Sequence, residues 1–338
     1  MGKRCAYLTM DDIGNFVTDA DLSIAPMAEL GWQVDMVPWR RDVDWNDYDI
    51  VYICTPWDYQ NDVAGFLEVL ATIEQSSARL CNGLQLVRWN LEKTYLQELE
   101  SRGADIVPSR FFDSFDAQRV EACLDAYGTG TIVLKPVVGA NSDNIFVVTG
   151  PMPGDLVDEL RSVFAHRPFF VQPFMNSVQS EGEYSLFFFG GEYSHAILKK
   201  PRAGDFRSQE EHGADILSVE APEALVETAR NVLGVVNPQP VYVRADFVRG
   251  KGERFLLMEL ELIEPALYYR TDPGSASRFA RALTRAAARA SITPGVAGKS
   301  AGCARRRAGP WPVRASVRVC CRGRSSRRTA GRRPAGSS

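Results

Sequence analysis

Strands and helices alternate along the first 85 residues, and this alternation constrains the fold more than any other feature. The apolar segments CAYLT, QVDMV and DIVYIC predict strands. Residues 20–31 and 63–74 place apolar side chains at helical spacing between and after these strands. The alternation predicts an α/β fold with a parallel sheet that is covered by helices on both faces. Ligands of such sheets bind beyond the carboxyl ends of the strands, which here lead into TMDDIG (9–14) and TPWDY (55–59).

Charge is unevenly distributed along the chain. The 338 residues include 39 Lys and Arg and 42 Asp and Glu, a formal net charge of −3. Residues 291–338 hold 12 of the basic residues and no acidic residue, so the first 290 residues carry a net charge of −15. Such an acidic body argues against a nucleic-acid-binding surface and favours a site that gathers carboxylates around metal cations.

The segment 291–338 is rich in Gly, Pro, Ser and Arg and has no apolar period. This composition predicts a disordered basic tail, and its abrupt onset favours a non-native extension. Binding of nucleic acid or anionic lipid is the alternative interpretation of its arginines. We expect a chain that ends at Ala290 to keep its activity, because the tail carries no packing pattern.

Targeting and redox features favour a cytoplasmic protein without a membrane partner. The N-terminus MGKRCAYLTMDD lacks the apolar core of a signal peptide, and no apolar run approaches the length of a membrane span. Four cysteines of the body are widely spaced, which predicts buried free thiols in a reducing compartment; they are Cys5, Cys54, Cys81 and Cys123. Three histidines in the whole chain give little support to a Cys/His zinc site.

The hairpin near the end of the body has a charged face. Arg244 and Asp246 are two residues apart on one predicted strand, and Glu259 and Glu261 are two apart on the next. If Lys251–Arg254 form the loop, Asp246 faces Glu259 and Arg244 faces Glu261. The opposite face is predicted to be core; it carries Ala245, Phe247, Met258, Leu260 and Leu262. Three close carboxylates with oxygen donors only suit Mg²⁺, and the alternative is the solvated face of an amphipathic hairpin.

Two lysines and one interdomain stretch suggest nucleotide binding. Lys135 ends an apolar strand before a turn with Gly139, Asn141 and Ser142, an arrangement able to cradle a phosphate. Lys93 lies in WNLEKTYL, in the predicted first turn of a helix over residues 91–102. VQPFMNSVQSEGEYS offers a strand against which a flat ring can lie, followed by carboxylates for ribose hydroxyls. The alternatives are solvated lysines and an ordinary interdomain connection.

The order of these motifs resembles the ATP-grasp ligase superfamily over residues 1–285. The resemblance implies domains at 1–90, 91–175 and 176–290, the last two forming an α+β ATP-binding part. It implies ATP as cofactor, with Lys93 and Lys135 on phosphates, Gln172–Phe174 at adenine and Glu183 at ribose. Asp246, Glu259 and Glu261 would hold Mg²⁺, with two ions expected, although Glu261 stands where many members have Asn. Arg244 would neutralise the tetrahedral intermediate.

Longer segments resemble the O-ureido-D-serine cyclo-ligase branch, which completes D-cycloserine biosynthesis. They are TPWDY, VRWNLEKTYL, EGEYSLFFFGGEYSHAILKKP, DFRSQEEHGA and LLMELELIEPAL. This resemblance implies activation of a substrate carboxylate as an acyl phosphate, then attack by a ureido nitrogen of the same small amino-acid-like substrate. Lys199 is predicted at the γ-phosphate with Lys200 as the alternative. Residues 204–213 are predicted to form a flap, from which Arg207 and His212 would contact the substrate. A two-substrate amino-acid ligase and a binding protein without turnover are the competing hypotheses.

Overall fold

The computed structural model describes residues 2–139, 143–202 and 207–290, all of which lie in one compact unit, Met1–Pro294. The strands of this part of the chain are β1 (Lys3–Thr9), β2 (Trp32–Pro38), β3 (Ile50–Thr55), β4 (Arg79–Cys81), β5 (Arg110–Phe112), β6 (Thr131–Pro136), β7 (Phe146–Thr149), β8 (Phe169–Pro173), β9 (Glu183–Phe189), β10 (Glu192–Lys200), β11 (Asp215–Val219), β12 (Tyr242–Arg249) and β13 (Phe255–Glu261). Its α-helices are α1 (Ile24–Glu29), α2 (Val63–Gln75), α3 (Leu84–Leu91), α4 (Tyr95–Ser101), α5 (Ala117–Tyr127), α6 (Gly154–Phe164), α7 (Asn176–Ser180), α8 (Glu223–Gly234) and α9 (Ser275–Ala290).

The N-terminal sheet has the strand order β2-β1-β3-β4, and all its pairings are parallel. Residues of β3 alternate between two cores, because successive side chains of a strand point to opposite faces. Tyr52 packs with Phe279 of α9 on one face, and Val51 packs with Phe66 of α2 on the other. Helices therefore cover both faces, as the alternation of strands and helices predicts.

The central sheet, of order β5-β8-β6-β7, is antiparallel and packs against α5 and α6. The segment TIVLKPVVGANSDNIFVV predicts two strands joined by a turn, and β6 and β7 form this hairpin with Thr131 opposite Thr149. The sequence pattern missed β5, because three residues are too few to show a period of two.

The C-terminal sheet has the order β11-β10-β9-β12-β13 and is also antiparallel. Gly190 and Gly191 between two apolar segments predict a hairpin, and both this hairpin, β9–β10, and the β12–β13 hairpin are present. Leu225 and Ala229 of α8 pack in the same core as Leu186 of β9 and Leu260 of β13. One face of this sheet is thus buried under a helix. The other face packs on α9 through Phe189 at one end and carries polar side chains such as Glu183 and Ser185 at the other.

The predicted helix over residues 91–102 is wrong in its first turn. The chain there forms the end of α3, a turn at 92–94, and then α4. Lys93 therefore lies in the turn between two helices, and its backbone N–H donates to the carbonyl of Val137 at 2.9 Å. Ile106, which follows this helical region, forms a single β-bridge to Leu257.

The predicted pairing of the last hairpin is confirmed, but the loop on which it was based is wrong. Asp246 pairs with Glu259 and Arg244 with Glu261. The loop has five residues, because Arg249 pairs with Phe255, and a bulge after Asp246 restores the register. Met258 is the extra residue of the bulge; it lines the cavity described below and packs against a small buried cluster of Val107, Val178 and Val248 instead of the main core of the sheet.

The four cysteines of the body are buried free thiols, as predicted. No helix among the described residues is long and apolar enough to cross a membrane.

Candidate active site

A cavity of about 230 Å³ contains every side chain that the sequence analysis singled out for ATP, Mg²⁺ or catalysis. These side chains come from six strands, the turn before α4 and the residue after β8. They are Lys93, Lys135, Gln172, Phe174, Glu183, Lys199, Arg244, Asp246, Glu259 and Glu261. Residues as far apart in the sequence as Lys93 and Glu261 thus share one cavity, which also brings opposite charges together at short distance.

Asp246 is the centre of the charge network in this cavity. Its carboxylate accepts hydrogen bonds from Ser185 Oγ at 2.6 Å, Lys199 Nζ at 3.1 Å and the Arg244 guanidinium at 3.1 Å. Burial favours the neutral acid, but Arg244 and Lys199 outweigh it and lower the pKa of Asp246 to about 2. Asp246 is therefore ionised throughout the physiological range.

The structure distinguishes between the two adjacent lysines of β10. Lys199 is buried, pairs with Glu183 and Asp246, and lines the cavity, whereas Lys200 is exposed. Burial lowers the pKa of Lys199, but the two carboxylates outweigh this effect and raise it. Gly182 permits this close packing: its φ is +124°, and a Cβ there would lie 2.9 Å from the carbonyl oxygen of Lys199.

The two predicted phosphate lysines differ in their partners. Lys93 Nζ lies 3.0 Å from Glu259 and donates to the carbonyl of Gly139 at 2.8 Å. Lys135 has no carboxylate at ion-pair distance among the described residues, and burial lowers its pKa. A buried lysine ammonium group without a carboxylate partner is stabilised when an anion binds beside it. Gly139 belongs to the predicted turn, whereas Asn141 and Ser142 lie outside the described residues.

Glu261 pairs with Arg244, and Glu264 accepts a hydrogen bond from the hydroxyl of Tyr59. Burial raises the pKa of Glu261 to about 7, assisted by Glu259 and Asp246. Burial and the nearby Glu261 raise the pKa of Glu264 to about 8. This part of the cavity therefore holds more carboxyl groups than its cations can keep ionised at neutral pH.

The side of the cavity on the central sheet is less charged. Gln172 is buried and its amide donates to Ser109 Oγ at 2.9 Å. The backbone N–H of Phe174 donates to Thr131 at 3.0 Å, which fixes the end of β8 beside β6. Met175, Val178, Met258 and Leu260 also line the cavity. An apolar wall beside a sheet end is the kind of surface against which a flat heterocycle packs.

Comparison with known proteins shows which proteins this chain is similar to. The profile of the family "D-cycloserine synthetase DcsG, N-terminal domain" matches residues 5–82. The cycloserine biosynthesis protein DcsG of Streptomyces lavendulae is 29% identical over 298 residues, which are 79% of this chain and 96% of that protein. The crystal structure of D-cycloserine synthetase DcsG superimposes with a TM-score of 0.71 and 26% identity, over 84% of this chain and 99% of that one. The ATP-grasp ligase PsnB superimposes with a TM-score of 0.58 and 13% identity, over 84% of this chain and 98% of that one, so this chain has the ATP-grasp fold.

A further solved structure of low sequence identity shares the fold alone. D-alanine–D-alanine ligase from Bacillus anthracis superimposes with a TM-score of 0.59 at 15% identity, over 85% of this chain and 98% of that one. The ATP-grasp fold predicted from the motifs is thus present, with the parallel sheet at the N-terminus followed by two antiparallel sheets.

The predicted magnesium ligands of this ATP-grasp chain are close together but each is held by a basic side chain. Asp246, Glu259 and Glu261 pair with Arg244, Lys93 and Lys199 in the combinations given above. Among the described residues, no three Asp, Glu, His or Cys side chains form a ready metal cage. The donor chemistry nevertheless fits Mg²⁺, since all the donors are carboxylate oxygens and the raised pKa of Glu261 marks an excess of negative charge.

Several cavity residues of the ATP-grasp site were missed by the sequence analysis. They include Phe16, Trp57, Tyr59, Glu264 and Tyr268. The position of TPWDY at the carboxyl end of β3 was the available signal for Trp57 and Tyr59. Glu264 had no signal of its own, because it follows β13 in an irregular segment. Arg207 of the predicted flap lines the cavity; His212 is not among its lining residues, and residues 204–206 lie outside the described ones.

Proposed function

We propose that this protein is an ATP-dependent ligase of cycloserine biosynthesis that closes the ring of D-cycloserine. One observation carries the proposal: a single cavity contains all ten side chains that the ATP-grasp resemblance assigns to nucleotide, metal and catalysis. The likeness to DcsG over 96% of that protein's length supports the choice of reaction.

The proposed first step transfers a phosphoryl group to the substrate. A carboxylate oxygen of O-ureido-D-serine attacks the γ-phosphorus of ATP, the bond to the β-phosphate oxygen breaks, and ADP leaves. Lys93 and Lys135 would hold the phosphates, and Lys199 would meet the γ-phosphate after exchanging a carboxylate partner for it. Asp246, Glu259 and Glu261 would hold Mg²⁺, which neutralises phosphate charge when bound.

The proposed second step closes the ring. The ureido nitrogen attached to oxygen attacks the acyl phosphate, phosphate leaves, and a nitrogen proton is released. Arg244 would stabilise the oxyanion of the tetrahedral intermediate, since its guanidinium is held in the cavity by Asp246 and Glu261. Hydrolysis of the carbamoyl group, as CO₂ and ammonia, then yields D-cycloserine.

A single-substrate assay tests the proposal. O-ureido-D-serine with Mg-ATP is expected to give ADP, phosphate and D-cycloserine in equal amounts, without any added amine. Tethering of the nucleophile raises its effective concentration to about 10⁵ M or more, so external amino acids should compete poorly. Phosphate release that begins only when a second amino acid is added would reject ring closure and favour a two-substrate amino-acid ligase.

A further inference from the structure

The segment TPWDY fixes a carboxyl group in the cavity wall. Trp57 Nε1 donates to the backbone carbonyl of Glu264 at 2.9 Å, and the hydroxyl of Tyr59 hydrogen-bonds to the side chain of Glu264. Both aromatic residues are nearly inaccessible, with exposures of 7% for Trp57 and 5% for Tyr59. The Tyr59 ring also packs on Phe66 of α2 with a centroid distance of 4.9 Å. Glu264 is thus held by a rigid part of the N-terminal core.

The other carboxylates near the centre of the cavity have basic partners. Asp246 contacts Arg244 and Lys199; Glu183, Glu259 and Glu261 each pair with a lysine or arginine. No lysine or arginine of the described residues lies at ion-pair distance from Glu264. A carboxyl group that is fixed, faces a cavity and lacks a cation is suited to bind a cation from outside.

The contacts of Glu264 place it on the side of the cavity away from the proposed adenine wall. Gln172 and Phe174 belong to the central sheet, whereas Glu264 contacts the N-terminal domain through Trp57 and Tyr59. Glu264 is also close to the proposed reacting centre, because Arg244 Nη1 lies 3.5 Å from the carbonyl of Ala266, two residues further along the chain. A small substrate whose carboxylate meets Arg244 would therefore extend toward Glu264.

Building on the proposed function, we propose that Glu264 binds the protonated amino group of the substrate and thereby selects amino acids over simple carboxylic acids. Arg244 attracts the carboxylate of such a substrate, and Glu264 attracts its ammonium group. Tyr59 acts as a positioning residue, because its hydroxyl fixes the Glu264 carboxyl. The TPWDY segment accordingly contributes to substrate recognition as well as to the core.

The decisive experiment compares two substrates that differ in the amino group alone. Phosphate release is measured with O-ureido-D-serine and with 3-(ureidooxy)propanoate, for the full chain and for Glu264→Gln. The variant is expected to lose about tenfold or more in kcat/KM for the amino acid, mainly through KM, because a charge-assisted contact is removed. The kcat/KM for 3-(ureidooxy)propanoate should change by less than about twofold. The preference of the enzyme for the amino acid over the deamino compound is therefore largely lost in the variant.

Two matched variants sharpen the test. Tyr59→Phe keeps the aromatic ring but removes the hydroxyl that contacts the Glu264 carboxyl. It should reduce the preference for the amino-acid substrate by a smaller factor than Glu264→Gln does. Glu211→Gln removes another carboxyl of the cavity wall, which accepts from the backbone N–H of Val17 at 3.3 Å, and it should leave the preference intact. Affinity for a non-hydrolysable ATP analogue should be the same in all these proteins.

Three outcomes would overturn or separate the proposals. Equal losses with both substrates in Glu264→Gln would reduce Glu264 to a structural role, and a collapsed preference in Glu211→Gln would assign the ammonium to Glu211. Should the unmodified chain act on another amino acid and not on O-ureido-D-serine, ring closure is rejected. The role of Glu264 is then decided by the ratio of kcat/KM for that amino acid to kcat/KM for its deamino counterpart, compared between the unmodified chain and Glu264→Gln.

Discussion

Carboxyl groups in the same cavity have pKa values that are shifted in opposite directions. Asp246 has a pKa of about 2, whereas the pKa values of Glu261 and Glu264 are raised to about 7 and 8. Asp246 is buried whereas Glu261 and Glu264 are half-buried, and since burial favours the neutral acid, burial does not explain the low pKa of Asp246. Asp246 is contacted by both Arg244 and Lys199, and Glu261 shares Arg244 with it. Among the residues that the structure describes, no lysine or arginine lies at ion-pair distance from Glu264. The number of cationic contacts therefore decides which carboxyls stay ionised and which take up a proton or an external cation.

The largest expected effect follows from neutralising the ionised centre. Asp246→Asn should reduce ADP formation by about 10³-fold or more, the scale of a preorganised electrostatic group. The fold should survive, because Lys199 keeps Glu183 and Arg244 keeps Glu261 as partners. The measurement is ADP release, with circular dichroism as the control for folding. Near-normal turnover in a folded variant would remove Asp246 from the proposed metal and phosphate chemistry.

A second prediction concerns the cation that holds Asp246. Lys199→Ala leaves two buried carboxylates without this partner and should lower the free energy of unfolding by about 3 kcal/mol. Lys200→Ala, the exposed neighbour, should change it by no more than about 0.5 kcal/mol. Denaturant unfolding measures both variants. Equal effects would mean that the Lys199 network contributes nothing beyond an ordinary surface contact.

Glu261 should matter less than Asp246, because it is not fully ionised and Asn occupies this place in relatives of the ATP-grasp superfamily. We expect Glu261→Asn to lower turnover by about tenfold. The comparison with Asp246→Asn in the same phosphate assay is the measurement. If Glu261→Asn lowers turnover as much as Asp246→Asn does, the number of cationic contacts does not determine how much each carboxylate contributes to turnover.

The smallest effect is the dependence of stability on pH. The raised pKa values of Glu261 and Glu264 mean that the folded chain binds more protons than the unfolded one between about pH 4.5 and pH 8. The contribution of these two carboxyl groups to the free energy of unfolding is therefore fully present below about pH 4.5, and it is lost as the pH rises through about 7 and 8. Melting temperatures across this range should fall less steeply for Glu264→Gln than for the unmodified chain. An unchanged slope would show that the carboxyl of Glu264 titrates normally.

Much of the fold was predictable because it depends on local patterns. The alternation of strands and helices in the first 85 residues predicts the parallel sheet. The turns around Gly190 and Gly250 predict the two hairpins. The split between α3 and α4 was not predictable, since the pattern of apolar residues continues across it. Lys93 is held in that turn by a hydrogen bond to Val137, a contact with a residue 44 positions away.

The sequence by itself determined the residue types of the site and their order, and strand alternation determined that Lys199 and Lys200 point to opposite faces. Only the tertiary structure decided which lysine faces the cavity, because that depends on the strands and helices packed on each side of β10. The bulge after Asp246 turned Met258 toward the cavity, and contacts from TPWDY brought Glu264 into its wall. These outcomes rest on pairings between distant segments, whose energies depend on burial and neighbouring charge rather than on local sequence.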